Sequence, residues 1–203
     1  MEAITLPDTV YLHVTKACTL HCVYCYFSAG EPFEKELSTE ELLSVLRDVY
    51  LLNPRRVVFT GGEPLLRKDI LKLAQALRNG GIRACLCLTT NGTLINEENA
   101  EGLVENFNEI RISIDGFEEA NDAMRGKGTF EKVMKAFRCV LEAGGDPIAF
   151  VTVTSLNLPH LKDFMKFLLR NEITRIHLSP LKLAGRAKDD KMLCDFEEIK
   201  GIG

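Results

Sequence analysis

The chain has 203 residues, 46% hydrophobic and 27% charged, with 15 Gly, 7 Pro and a formal net charge of -4. That balance excludes a disordered, collagenous or coiled-coil chain, and the scattered Lys and Arg residues leave no basic footprint for nucleic acid. A chain of this length buries roughly 70% of the surface it would expose unfolded, so its 7 cysteines are not needed as a disulfide framework. The first residues, Met1-Glu2-Ala3-Ile4-Thr5-Leu6, place an acid where a signal peptide carries positive charge. No apolar run approaches the roughly 20 residues of a membrane helix. The expectation is one soluble, cytoplasmic domain spanning 1–203, whose reduced cysteines bind metal or react.

Short β-branched runs alternate with helical periodicity along the chain. The first strand is expected at Thr9 to Thr15, and the first helix opens with Ser38 and Glu41 as a capping box, with Leu42, Val45, Leu46 and Val49 on one face. Further strands are read at Arg56 to Thr60, Ala84 to Thr90, Glu109 to Ile114, Ile148 to Thr154 and Arg175 to Ser179. Between them, Ile70-Leu73-Ala74-Leu77, Ala100-Leu103-Val104-Phe107, Phe130-Val133-Met134-Phe137 and Leu161-Phe164-Leu168 keep helical spacing, and a sixth helix is read through Met192, Phe196 and Ile199. Strict alternation predicts parallel strands with right-handed crossovers, in an α/β fold that closes towards a barrel or stays open and doubly wound. The long first connection, from Lys16 to about Ser38, stands out as functional.

In such folds the loops after the strands form the catalytic face. The six ends carry Cys18-Thr-Leu-His-Cys22-Val-Tyr-Cys25, Gly61-Gly62-Glu63-Pro64, Thr90-Asn91-Gly92, Ser113-Ile-Asp115-Gly116, Thr154-Ser-Leu-Asn157 and Ser179-Pro180. Cys18, Cys22 and Cys25 place three soft thiolates on one short loop, suited to a metal centre. Structural zinc wants a fourth ligand, which His21 supplies only awkwardly beside Cys22. A three-cysteine iron-sulfur cluster leaves one iron open. Ser113 and Asp115 share strand parity and can face one lumen, whereas Arg125 beside Lys127 can also be a solvated cation. Cys85 and Cys87, on one face of a strand, read as small buried hydrophobes, Cys139 as helix packing, and His13 as a core or lumen histidine.

The C-x3-C-x2-C loop with Tyr24 before its last cysteine, followed by Gly61-Gly62-Glu63-Pro64, resembles the radical S-adenosylmethionine superfamily. Thr90-Asn91-Gly92, Ser113-x-Asp115-Gly116, Arg125-Gly126-x-Gly128-Thr129-Phe130, Pro180 and Gly185-Arg186-Ala187-Lys188 fall in family order. Those from Ser113 onwards are similar to the branch that matures peptides, sulfatases, tetrapyrroles or quinone cofactors. The resemblance implies a partial (β/α)6 barrel of parallel strands in which Cys18, Cys22 and Cys25 ligate a 4Fe-4S cluster that chelates S-adenosylmethionine. It also implies that Gly61, Gly62 and Glu63 line the methionine end, that Pro64 fixes the turn, and that Asn91 belongs to the cofactor site. Tyr24 is expected near adenine, Ser113 and Asp115 at the ribose or methionine, and Arg125 at a carboxylate.

The implied reaction is reductive cleavage to a 5′-deoxyadenosyl radical that abstracts hydrogen from a peptide, protein or cofactor precursor. It calls for a low-potential donor of flavodoxin or ferredoxin type. Members of that branch continue into a cysteine-rich domain with auxiliary clusters, whereas this chain has only Cys194 after the sixth strand; the auxiliary domain is expected to be absent. Two alternatives are a non-catalytic iron-sulfur or zinc protein and an accessory protein completed by a partner subunit that closes the barrel.

Overall fold

The computed structural model describes residues 7–188 and 190–194. The readings placed on residues 1–6, Phe196 and Ile199 lie outside them. Met192 ends a single 3-10 turn, Asp190–Met192.

Six strands, β1 (Thr9–Thr15), β2 (Arg56–Gly61), β3 (Cys85–Thr90), β4 (Glu109–Ser113), β5 (Ile148–Val153) and β6 (Arg175–Pro180), form one sheet. All neighbours pair in parallel, and their order in space is their order in sequence. A doubly wound sheet reverses its order at a switch point. This one never does, so successive right-handed crossovers step the same way and lay their helices on one face. Among the described residues β1 does not pair with β6, and the arc is the partial barrel expected, not a closed one.

The helices are α1 (Thr39–Leu52), α2 (Ile70–Asn79), α3 (Glu97–Asn106), α4 (Glu118–Arg125), α5 (Thr129–Glu142) and α6 (Leu161–Arg170). Ser38 and Glu41 close the capping box that starts α1, and Asn53, left-handed at φ 45°, ends it before Pro54. Alternate strand residues, such as Val57 and Phe59, Leu86 and Leu88, Ile110 and Ile112, and Val151 and Val153, meet Leu46, Leu73, Leu103, Phe137 and Phe164 of the helices in one apolar core. Val45, read on the buried face of α1, is exposed.

Helix α4 escaped periodicity because Met124 is the only large apolar side chain in Glu118–Arg125. It supplies a buried Asn121, Met124 and Arg125 instead.

The opposite strand parity faces the lumen, where polar residues such as Thr60, Thr89, Arg111 and Ser113 sit beside Val58, Ile148 and Phe150. His13 lies 4.5 Å from the Phe27 ring, and His177 stacks at 4.5 Å and 6° on Phe150. Cys85 and Cys87 occupy this face too. Cys87 is fully buried but its sulfur donates to Glu109 Oε2 at 3.4 Å, so the pair is not the apolar packing expected of it. Burial, then Cys85 and Glu109 beside it, push the Cys87 thiol up to about 12. Cys139 packs on α5 as expected.

Candidate active site

The loop after β1 is stitched by its backbone. Cys18 N–H donates to Gly30 O at 2.8 Å and Gly30 N–H to Lys16 O at 3.1 Å, which folds residues 18–29 into a closed bow. Glu36 fixes its base, accepting from Thr15 Oγ1 at 2.8 Å and from Lys16 N–H at 2.8 Å. Inside the bow, Cys18, Cys22 and Cys25 are free and half-buried. Two of their sulfurs accept hydrogen bonds: Leu20 N–H (3.5 Å) and Asn91 Nδ2 (3.6 Å) reach Cys18 Sγ, and Ala29 N–H reaches Cys25 Sγ at 3.4 Å. Burial pushes the Cys18 and Cys22 thiols up, and the charge each feels from the other loop sulfurs adds to this.

A second segment clamps the bow from above. Arg186 donates from Nε to Cys22 O at 2.8 Å and from Nη1 to Ala29 O at 2.6 Å, while its backbone N–H meets Cys25 O at 3.0 Å. Gly185, at φ +62°, lies so close that a Cβ there would sit 2.4 Å from the carbonyl oxygens of Cys25 and Tyr26.

The end of β2 docks directly beneath. Gly62 N–H donates to Thr15 O at 2.8 Å and Glu63 N–H to Ala17 O at 2.7 Å. A Cβ at Gly62 would lie 2.1 Å from Ala17 O, and one at Gly61, whose φ is +133°, 2.3 Å from Thr15 O. The space these glycines leave empty is filled by the cysteine loop's own backbone. Glu63 is 0% exposed. Its carboxylate accepts from Thr90 Oγ1 (2.7 Å), Asn91 N–H (2.7 Å) and Leu65 N–H (3.0 Å), so it ties β3 to the 3-10 turn Pro64–Leu66 that Pro64 begins. Burial raises its pKa against the pull of these donors.

Asp115 is the hub on the other side, also 0% exposed. Its Oδ2 accepts from Arg125 Nε at 2.5 Å and from the Tyr24 hydroxyl, and its Oδ1 from Thr152 N–H at 2.8 Å. Arg125 also lies 5.6 Å from the centre of the Tyr24 ring. Burial works against the guanidinium, but Asp115 and the Tyr24 oxygen outweigh it and hold it further towards the charged form. Burial likewise pushes the Tyr24 phenol up. The carboxylate that Arg125 engages is therefore Asp115, and the residue is buried, not solvated. Asn157 closes the network, donating to Asp115 O at 2.6 Å and Thr152 O at 2.7 Å.

The structure thus brings Cys18, Cys22, Cys25, Tyr24, Gly61, Gly62, Glu63, Pro64, Asn91, Asp115 and Arg125 to one end of the sheet. Ser113 lies one strand position further in, half-buried at the end of β4. Sequence reasoning gave no part to Glu36, Asn121, Asn157 or Arg186. Asn157 had a signal in its place at the fifth strand end, and Arg186 in the Gly185-Arg186 pair.

The chain matches the model of the Radical SAM superfamily over residues 12–178. Fe-coproporphyrin III synthase of Methanosarcina barkeri is 36% identical over 180 residues, covering 87% of this chain and 45% of its own length. Mycofactocin maturase MftC of Mycolicibacterium smegmatis is 32% identical over 193 residues, covering 93% of this chain and 48% of its own. Among solved structures, native anSMEcpe with bound AdoMet and a Kp18Cys peptide superposes with a TM-score of 0.76 at 25% identity, over 87% of this chain and 52% of that one. The chain spans about half the length of the curated relatives it matches.

Members of the family use a 4Fe-4S cluster and S-adenosylmethionine. The donor set here fits such a cluster: three free thiols on one loop, with hydrogen bonds already directed at two of the sulfurs, as clusters are commonly tuned. From the six parallel strands, the stitched cysteine bow and the match over residues 12–178, it follows that this chain belongs to the Radical SAM superfamily.

Proposed function

We propose that this barrel is the catalytic core of an enzyme that cleaves S-adenosylmethionine reductively and modifies a peptide or cofactor precursor. Cys18, Cys22 and Cys25 would hold the cluster. The chemistry that cluster and S-adenosylmethionine supply when bound is one-electron cleavage of the sulfonium, with a 5′-deoxyadenosyl radical to abstract hydrogen from the substrate. The chain's own residues bind and orient. Gly61, Gly62 and Glu63 set the floor of the methionine end, with Pro64 fixing the turn, and Asn91 holds both Glu63 and the Cys18 sulfur. Ser113, on the lumen face, is free to reach a ribose. Tyr24, Asp115 and Arg125 act as positioning residues, since each satisfies the others and together they fix the loop under Cys22.

The single observation that carries this reading is the docking of Gly61-Gly62-Glu63 against the cysteine bow, which puts a soft-metal loop and a polar strand end in one place. A low-potential donor of flavodoxin or ferredoxin type would supply the electron. A reducing compartment such as the cytoplasm suits seven free cysteines, and no helix among the described residues is long and apolar enough to cross a membrane. The substrate class is supported by relatives named as a coproporphyrin synthase and a mycofactocin maturase, and by a structural neighbour holding a peptide.

The test is anaerobic. The protein is reconstituted with iron and sulfide, given S-adenosylmethionine and dithionite, and assayed for 5′-deoxyadenosine beside a Cys22→Ala control. Formation in the wild type alone supports the proposal. An intact cluster without product would overturn it in favour of an accessory iron-sulfur protein.

A further inference from the structure

At the opposite end of the strands the lumen holds a second group of soft ligands. Cys85 and Cys87 project from the same face of β3, and Glu109 pairs with Cys87 across the β3–β4 ladder. Their ligand atoms all lie within 4.8 Å of one another. Cys85 Sγ and Cys87 Sγ are 3.7 Å apart, and Cys87 Sγ is 3.4 Å from Glu109 Oε2. Two sulfurs bound at about 2.3 Å to one tetrahedral ion stand about 3.8 Å apart, and a sulfur and a carboxylate oxygen about 3.6 Å. The spacing in the protein is therefore already that of two edges of a metal tetrahedron.

Charge supports the same reading. Two thiolates and a carboxylate around a divalent cation leave one net negative charge, and three arginines surround Glu109. Arg111 lies 2.7 Å from its carboxylate, Arg56 3.3 Å and Arg175 3.7 Å. Strand β3 runs from this group towards Asn91, so it is spaced from the cysteine bow by the length of the strand. The loop thiols and these thiols cannot share one ion.

We propose that Cys85, Cys87 and Glu109 form a second metal site, for a borderline-soft divalent cation of the zinc class, with its fourth coordination position open to the barrel lumen. Binding exchanges the two thiol protons for the cation, with no change of oxidation state. The open position would take water or a donor atom of a molecule bound in the lumen.

The site does not depend on the proposed function, and its test is arranged accordingly. In a Cys18→Ser/Cys22→Ser/Cys25→Ser chain under anaerobic conditions, Co2+ is titrated as the probe. The expected result is one Co2+ per chain with the visible bands of a four-coordinate ion and a sulfur-to-metal band in the near ultraviolet, both lost on adding Zn2+. Cys85→Ser/Cys87→Ser in that background abolishes the sulfur band, and Glu109→Gln weakens binding about 10-fold or more. A second measurement uses the unaltered chain. Cd2+ should protect Cys85, the half-buried thiol of the pair, from alkylation, read peptide by peptide so that the loop cysteines are scored separately. Unchanged alkylation of Cys85, or a sulfur band that survives Cys85→Ser/Cys87→Ser, would overturn the assignment.

Discussion

The two ends of the sheet are built differently. At the C-terminal end, the close contacts are made to the main chain: Gly61 and Gly62 let β2 close on Thr15 and Ala17, Gly185 lets Arg186 N–H reach Cys25 O, and the Arg186 guanidinium caps the carbonyls of Cys22 and Ala29. At the N-terminal end, side chains from four strands meet in the lumen, with Arg56, Cys85, Cys87, Glu109, Arg111 and Arg175 linked by ion pairs and thiol contacts. The first arrangement requires particular residue types at contiguous positions. The second requires only strand parity and register, and its outer members Arg56 and Arg175 are 37% and 39% exposed.

The contrast predicts where damage is severe. Arg125→Met leaves Asp115 charged, buried and without its counter-ion, and is expected to cost about 3–5 kcal/mol in denaturant unfolding. A loss below about 1 kcal/mol would mean that the Tyr24 hydroxyl and the Thr152 N–H satisfy the Asp115 carboxylate without Arg125. Gly62→Ala drives a Cβ into two main-chain carbonyls and should lower stability by about 3 kcal/mol. Hydrogen exchange should speed at residue 62 and at Glu63, whose N–H groups close that contact.

Glu36→Gln should cost about 1–2 kcal/mol at neutral pH, the worth of hydrogen bonds to a charged acceptor. Burial opposes the Glu36 charge, but the Lys16 N–H and Thr15 hydroxyl overcome it and hold the carboxyl below its ordinary 4.5. A depressed folded-state pKa gives stability that is present above 4.5 and lost as pH falls through the folded value. Wild type and Glu36→Gln should therefore converge in unfolding curves taken on the acid side, and a gap independent of pH would break the assignment. The smallest effect belongs to the other end. Arg56→Gln removes a partly exposed ion pair and should change stability by less than about 1 kcal/mol.

The same contrast governs what could be read from sequence. All six strands fall within about one residue of their expected bounds, because β-branched runs flanked by turns leave little choice. The cysteine bow and the Gly-Gly-Glu-Pro turn were legible because glycine, proline and thiols are required at adjacent positions. Helix α4 was not, because its stability comes from burying Asn121, Met124 and Arg125 and not from an apolar stripe. The partnership of Arg125 with Asp115 and Tyr24 was equally hidden, since it joins a helix end, a strand end and a loop 91 residues away from Asp115. Cys85 and Cys87 looked like packing because the ladder that sets Glu109 beside Cys87 is a tertiary fact.

The clamp of Arg186 on Cys22 and Ala29 spans 164 and 157 residues of chain. Contacts that distant in sequence close after local ones, because loop-closure entropy must be met first. During synthesis the cysteine bow is made early and waits for nearly the whole arc to follow before its lid can dock. Nascent thiols are thus presented on an unfastened loop until Arg186 is made.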